Sequence, residues 1–333
     1  MIRVGIIGYG KMGTIRHNAL KSRSDVSVDA IYEENSTIEV PGGKRVSSPS
    51  DVLDNTDIDA VFVFTPNVFN MPYTKRSLMN SKHVFCEKPP AFTPAEVADI
   101  IDVETSSGKK LMYGFNHRHH ESIRKIRELI DHNTFGKVLW MRGRYGKSVD
   151  EAFYSSWRAK KTMSGGGIFL DQGIHMLDLF MHLSGDFDIV KSIVSNVYWD
   201  LEIEDNVFAI FENSKTKVSA SLHSTMTQWR HLFSLEIFLE KGYIILNGLK
   251  TPSGAYGAEE LSIAENRTTA PAAKLSKKEV ITYNIDSSWQ SEIDHFIDAI
   301  QHKRDITVGT SRDALTLMTL VEKEYNNGKT NDK

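Results

Sequence analysis

The stretch Gly8-Tyr9-Gly10-Lys11-Met12-Gly13 constrains this chain more than any other, because it follows the apolar run Ile2–Ile7 directly and opens a helical pattern. Three glycines at this spacing suit a strand–turn–helix unit. The first allows a tight turn, the second lets the backbone approach a pyrophosphate, and the third lets helix and strand pack closely. The helix start then offers unpaired N–H groups and a partial positive charge to phosphates. Further apolar stretches lie at Val26–Tyr32, Ala60–Phe64, His83–Cys86 and Lys110–Phe115, the last preceded by a helical pattern from Pro94 to Glu104. Runs of this kind read as strands buried on both faces. They predict an α/β fold whose N-terminal Rossmann domain, a doubly wound parallel sheet, spans residues 1–118.

Glu33 ends the second run, twenty residues past Gly13, where a carboxylate can grip the ribose hydroxyls of a dinucleotide. Its charge would repel a 2′-phosphate, and its neighbours Glu34 and Asn35 supply no arginine to compensate. NAD is therefore favoured over NADP.

After Arg118 the pattern changes. A helix is expected over Glu121–Asp131, a strand over Lys137–Tyr145, a glycine-rich stretch at Ser164–Gly167 and a helix from Asp171 to Leu183. Ile189–Leu246 reads as several antiparallel strands separated by turn signals. Within it, Lys217–Met226 alternates: Val218, Ala220 and Leu222 face one way, and Ser219, Ser221, His223 and Thr225 the other. Residues 250–279 are polar and are expected to form a mobile loop with one short strand; helices are expected at Trp289–Gln301 and Arg312–Tyr325. The second domain, residues 119–333, is thus expected to be α+β with a large open, mainly antiparallel sheet, its C-terminal helix packing back on the first domain. The polar face of that sheet is larger than one small substrate covers, which predicts a homodimer or homotetramer.

Bulk properties exclude several classes. A length of 333 residues suits two domains, and a net charge of −3 gives no electrostatic reason for nucleic acid or anionic membrane as a partner. Cys86 is the only cysteine, so no intramolecular disulfide forms. No apolar run is long enough to span a membrane and no leader pattern precedes Ile2, so a cytoplasmic protein is expected.

Two segments carry candidate chemistry. Glu87-Lys88-Pro89 follows the fourth run, which puts Lys88 at the carboxyl edge of the sheet, where open α/β folds bind ligands. In Gly165–Asp178, Asp171 and His175 stand four apart and would share one helix face, a carboxylate orienting an imidazole that acts as general base. With Asp178 and His182 they form a stripe that also reads as a metal site, but it runs over three turns, further than one ion reaches. No metal is expected; Asp178 reads as a structural acid bonding nearby backbone. His117, His119 and His120 read as solvated loop histidines, of which one meets substrate. Trp140, Arg142 and Arg144 share one side of a strand, and Arg230 and His231 lie on another; these cations suit the phosphates of a nucleotide sugar or ordinary salt bridges.

The chain resembles the glucose–fructose oxidoreductase/inositol dehydrogenase (Gfo/Idh/MocA) family over nearly its whole length. The likeness rests on GYGKMG at the start, Thr65-Pro66-Asn67, Glu87-Lys88-Pro89, Phe115-Asn116-His117-Arg118, Trp157-Arg158 and GGGIFLDQGIHMLD. The resemblance implies that Lys88, Asp171 and His175 are catalytic. It implies that Gly8, Tyr9, Gly10, Lys11, Met12, Gly13, Glu33, Thr65, Pro66, Asn67, Glu87, Lys88, Asn116, Trp157 and Arg158 line the dinucleotide. Arg118, His119, Arg144 and His223 are candidates for the substrate. The histidines after Asn116 depart from many relatives, which leaves the substrate pocket open. The implied activity is hydride transfer between a nicotinamide and a hydroxyl-bearing carbon of a sugar, polyol or nucleotide sugar, with the nucleotide sugar slightly favoured. The alternatives are an NAD-dependent glycosidase that oxidises its sugar transiently and a non-catalytic NAD-binding sensor.

Overall fold

A computed structural model describes residues 1–265 and 278–328. They form two compact units. The first comprises Met1–Asn116, Thr162–Gly165 and Ser288–Thr319; the second comprises His117–Lys161, Gly166–Ser287 and the chain from Leu320 onward. The grouping follows packing rather than chain order, so a single boundary after residue 118 does not describe it.

In the first unit, β1 (Ile2–Ile7), β2 (Val26–Tyr32), β3 (Lys44–Val46), β4 (Ala60–Val63), β5 (His83–Glu87) and β6 (Leu111–Gly114) form one sheet in the order β3-β2-β1-β4-β5-β6. Every pairing is parallel. The helices are α1 (Lys11–Lys21), α2 (Ser50–Leu53), α3 (Asn70–Met79) and α4 (Pro94–Ser107). The edge strand β3 escaped the sequence reading because it is three largely exposed residues without an apolar run. α4 starts at a capping box, Thr93 and Glu96 bonding each other's backbone, and stops at Gly108, whose φ of 63° costs a glycine little. One face of the sheet is covered by α8 (Ser288–Gln301), whose Ile293, Phe296 and Ile297 pack with Val4, Ile6, Phe62 and Phe85. Phe62 and Phe85 stack at 5.3 Å, and the Phe296 ring stands edge-on to both. A buried phenylalanine in such a cluster is worth about 3–5 kcal/mol against alanine, which explains why a helix so late in sequence belongs to this unit.

The second unit contains α5 (Glu121–Asp131) and an eight-stranded sheet of β7 (Val138–Ser148), β8 (Ile189–Ser195), β9 (Asn206–Glu212), β10 (Ser219–Thr225), β11 (Thr227–Leu239), β12 (Gly242–Asn247), β13 (Glu259–Glu265) and β14 (Glu279–Tyr283). The order is β14-β13-β12-β11-β7-β10-β9-β8, antiparallel except for β7 and β10. α6 (Lys161–Ser164) precedes the glycine-rich stretch, and α7 (Ile174–Ser184) packs on one face of the sheet with nine of its residues buried. β13 supplies the one short strand expected within the loop over 250–279: alternate residues of Glu259–Glu265 are buried and the strand pairs along β12. Residues 266–277 of that expected loop lie outside the described residues. The other face of the sheet is not the polar surface the β10 alternation suggested. Ile193, Phe208 and Ile210 are 59%, 50% and 56% exposed there, and Thr225 is buried. Among the described residues no helix is long and apolar enough to cross a membrane.

The last helix, α9 (Ser311–Gly328), brings Glu324 into the second unit. Its side chain is fully buried, and neither carboxylate oxygen finds a hydrogen-bond partner among the described residues. Burial first, and the nearby Glu204 carboxylate second, push its pKa from 4.5 up to about 8. The folded chain therefore keeps a proton that the unfolded chain loses above about pH 4.5, and stability falls as pH rises from there towards 8. We expect Glu324→Gln to unfold at the same denaturant concentration as the parent near pH 4.5 and to be more stable by a few kcal/mol at pH 8. Urea midpoints of both proteins at the two pH values check this; equal midpoints at pH 8 would refute it.

Candidate active site

The first unit builds a dinucleotide cradle. Gly8 leaves β1 with a φ of 91°, and a side chain on Gly13 would lie 2.3 Å from the Gly8 carbonyl oxygen, so both positions require glycine. Gly10 caps α1 without any side-chain hydrogen bond, and a Cβ there would meet nothing within 4 Å. That open space in front of uncapped N–H groups fits a pyrophosphate. Tyr9 and Met12 turn their side chains into the core, so only their backbone can face a cofactor, while Lys11 is exposed. The Tyr9 hydroxyl bonds His17 Nδ1 at 2.6 Å.

Glu33 lies at this turn: its carboxylate accepts from the Tyr9 N–H at 2.5 Å and from the Asn35 N–H at 2.9 Å. An arginine is present after all. β3 lies beside β2 with Arg45 opposite Ile31, and its guanidinium donates to the carbonyls of Glu33, Asn35 and Ile38 at 2.6, 2.9 and 2.7 Å. Residues adjacent in sequence could not reveal a cation delivered by a neighbouring strand.

Thr65 bonds Asn70, Pro66 precedes a short turn, and the Asn67 amide donates to the Ser164 carbonyl at 2.8 Å. Asn70, missed in the sequence, is buried and donates to the carbonyls of both Glu87 and Pro89, which holds the turn carrying Lys88. Lys88 is half-buried there, and the peptide bond to Pro89 is cis. Glu87 is buried, and its carboxylate receives Arg16 at 2.8 and 3.2 Å. Asn116 is buried and bonds Ser288 at 3.2 Å. The Cys86 thiol is pushed up to about 12 by burial, so it carries no nucleophilic thiolate at neutral pH.

In the second unit a five-residue π-helical turn, Phe169–Gly173, replaces the start of the expected helix and carries Asp171 ahead of α7. The Asp171 carboxylate lies 2.5 Å from Lys147 Nζ and 3.7 Å from Arg158 Nε. Arg158 in turn covers the ring of Trp157 at 4.4 Å. His175, in the first turn of α7, is stacked on His117 with ring centres 4.0 Å apart. Tyr145 joins them, its hydroxyl 2.9 Å from His117 Nε2, and the Tyr256 hydroxyl donates to Gln172 at 3.1 Å. His231 meets Tyr256 edge-on at 5.0 Å. The alternation of β7 explains half of this set: Tyr145 and Lys147 project to the α7 side and Arg142 and Arg144 to the open side.

That same alternation removes two substrate candidates. Arg144 is exposed on the open face, and His223, paired with it across β7 and β10, stacks on Phe208 at 3.9 Å on that face. Burial, and secondly the charge of Arg144, hold His223 below the usual histidine range. Arg142 pairs with Glu236. Arg118 is buried and forms a bidentate ion pair with Asp178 at 2.6 and 2.8 Å, so Asp178 binds a guanidinium. His117, His119 and His120 are buried rather than solvated; His120 bonds Glu259 at 3.0 Å. Among the described residues no group of three or more His, Cys, Asp or Glu is placed to hold a metal ion.

Comparison with known proteins bears on the family and the fold. Residues 2–115 match the profile "Oxidoreductase family, NAD-binding Rossmann fold", and residues 123–245 match "GFO/IDH/MocA C-terminal domain". A D-glucoside 3-dehydrogenase of Escherichia coli is 29% identical over 237 residues, 63% of this chain and 66% of that protein. Alignments with this and the next curated relatives span 54–66% of their own length. Among solved structures, a levoglucosan dehydrogenase with NADH and levoglucosan superposes with a TM-score of 0.86 at 19% identity, covering 98% of this chain and 97% of that one. A 3-ketoreductase from Actinomadura kijaniata with NADP and TDP-benzene gives 0.84 at 22%, with the same coverages. At such identities the structures speak for the fold alone. The two profiles together cover most of the sequence, and the chain belongs to the Gfo/Idh/MocA oxidoreductase family.

Proposed function

We propose that this chain is an NAD-dependent dehydrogenase that oxidises a secondary hydroxyl of a sugar or polyol to a ketone. The observation that carries the reading is the second unit's buried imidazole, His175, one helical turn beyond a carboxylate, Asp171, that two cations hold in place. The balanced reaction removes two electrons and two protons from the carbinol: one proton goes to a base, and NAD supplies the acceptor for the hydride. His175 takes the hydroxyl proton, Asp171 favours its charged form, and Lys88 at the end of β5 stabilises the developing alkoxide. Lys147 and Arg158 keep Asp171 oriented. Of the cations that suggested a nucleotide sugar, Arg142 and Arg144 lie on the open sheet face, Arg230 covers the Trp229 ring and His231 packs on Tyr256, so a free sugar or polyol is preferred. Glucoside and levoglucosan dehydrogenases among the similar proteins point the same way.

The cofactor end of the proposal rests on the Gly8–Gly13 turn and Glu33. Arg45 is committed to three carbonyls of the loop after β2, so NAD is preferred to NADP. We also propose a homo-oligomer that covers Ile193, Phe208 and Ile210 of the open sheet, working in a reducing, cytoplasmic setting.

NADH formation with myo-inositol, D-glucose, methyl glucosides and levoglucosan tests the activity. His175→Ala should lower kcat by about 10²–10⁴ while NAD affinity stays within about twofold; full activity of that variant ends the assignment. Glu33→Ala should weaken NAD binding by about tenfold or more and narrow the gap to NADP, read by calorimetric titration. Tighter binding of NADP than NAD by the parent protein would contradict the role of Glu33. Light scattering should report a dimer or tetramer that Phe208→Asp shifts towards monomer, and a monomeric parent at micromolar concentration would refute the assembly.

A further inference from the structure

We infer that His117 is the positioning residue of the catalytic imidazole: it holds the ring of His175 by stacking on it, and Tyr145 holds His117. The inference rests on the reading of His175 as general base. Four contacts within the second unit support it. The two imidazoles lie nearly parallel, 20° apart with centroids at 4.0 Å, closer than ordinary aromatic pairs in a core. His117 Nε2 is 2.9 Å from the Tyr145 hydroxyl, which fixes the plane in which that ring lies. The next residue, Arg118, is clamped in a buried ion pair to Asp178, on the same helix as His175 and three residues beyond it. Two positions further, His120 is bonded to the buried Glu259 of β13, with Asp286 4.0 Å from its other nitrogen. The segment His117–His120 is therefore fastened at both ends, and His117 has no freedom to leave the face of His175.

Tyr145 is itself fixed. Its ring stands edge-on to Phe233 at 5.2 Å and to Tyr256 at 5.4 Å, and Tyr256 donates to Gln172 beside Asp171. Burial holds the Tyr145 hydroxyl well above the usual tyrosine range, so it stays protonated and serves as a hydrogen-bonding group rather than a charge. The charged groups facing this array are Lys147 and Arg158, with Asp171 between them, and Glu259 behind His120. A general base must lie within hydrogen-bond reach of the proton it takes and in the right plane. A small rotation of an imidazole on the first turn of a helix spoils that alignment, and a flat neighbour at 4.0 Å forbids it.

The test reads the stack and the reaction separately. In ¹H–¹³C spectra of the histidine Cε1–H groups, assigned with His175→Ala, the His175 signal should be displaced upfield by the ring current of His117. The displacement should vanish in His117→Ala and persist in His117→Phe, which keeps a flat face there. With the best substrate of the polyol panel, kcat of His117→Ala should fall about 10–100-fold at nearly unchanged KM and NAD affinity. His117→Phe should recover most of that loss, and Tyr145→Phe should fall between. Thermal unfolding of each variant separates a loss of fold from a loss of position, and the Phe variant keeps the question open to refutation if Ala fails to fold. A His175 signal unchanged in His117→Ala removes the stack. A kcat within twofold of the parent in both His117 variants, while His175→Ala is crippled, refutes positioning and leaves the general base standing. An unaffected His175→Ala overturns both.

Discussion

The buried charge of Arg16 is the constraint on which the first unit depends. Its guanidinium is wholly inaccessible, sandwiched between the rings of Phe85 and Trp289 at 4.7 and 4.6 Å. It reaches Glu87 at the end of β5 and Glu292 in α8. Burial alone would lower its pKa, but Glu292 and Glu87 outweigh that and hold it above the usual arginine value. An unpaired charge in this place would cost several kcal/mol, and breaking such a pair by removing one partner typically costs about 3–5. The geometry follows from that penalty. α1, whose start presents the glycine turn, β5, which leads into Lys88, and α8 are obliged to meet at one guanidinium. Gly114 completes the arrangement, because a Cβ there would lie 3.0 Å from the Glu87 carboxylate and 3.1 Å from the Arg16 guanidinium.

The second unit solves a similar problem differently. The groups we propose to react lie at and before the start of a helix packed against a sheet, where burial is easy and orientation is not. Ion pairs do the orienting: Arg118 with Asp178 ties the segment after Asn116 to α7, and Lys147 with Arg158 brackets Asp171. The π-helical turn matters here because it widens the coil by a residue and moves Asp171 off the regular α-helical row. Neutral rings fill the remaining space, so the imidazole of His175 is confined by faces as well as by charges.

Much of this was legible in the linear chain. β1 and β2 matched their apolar runs to the residue, as did α5, because short apolar strands and a strongly amphipathic helix leave unmixed patterns. The glycines of the phosphate turn announced themselves by spacing. Where polarity and burial part company the reading failed: His117, His119 and His120 look like a solvated run yet are enclosed.

By itself, then, the sequence determined the Rossmann topology and the family, and it singled out the residues we propose to react, since those depend on local periodicity and on motifs only a few residues long. Tertiary structure alone decided which of the polar residues meet. Arg45 reaches the loop after β2 from a strand that pairs with it, Glu87 turns to Arg16 across 71 positions, and Arg144 faces away from Tyr145, its neighbour in sequence. The physical reason is that a charged or hydrogen-bonding side chain takes its partner from whatever packing brings within about 3 Å, and packing between distant segments leaves no periodic trace in the order of the residues.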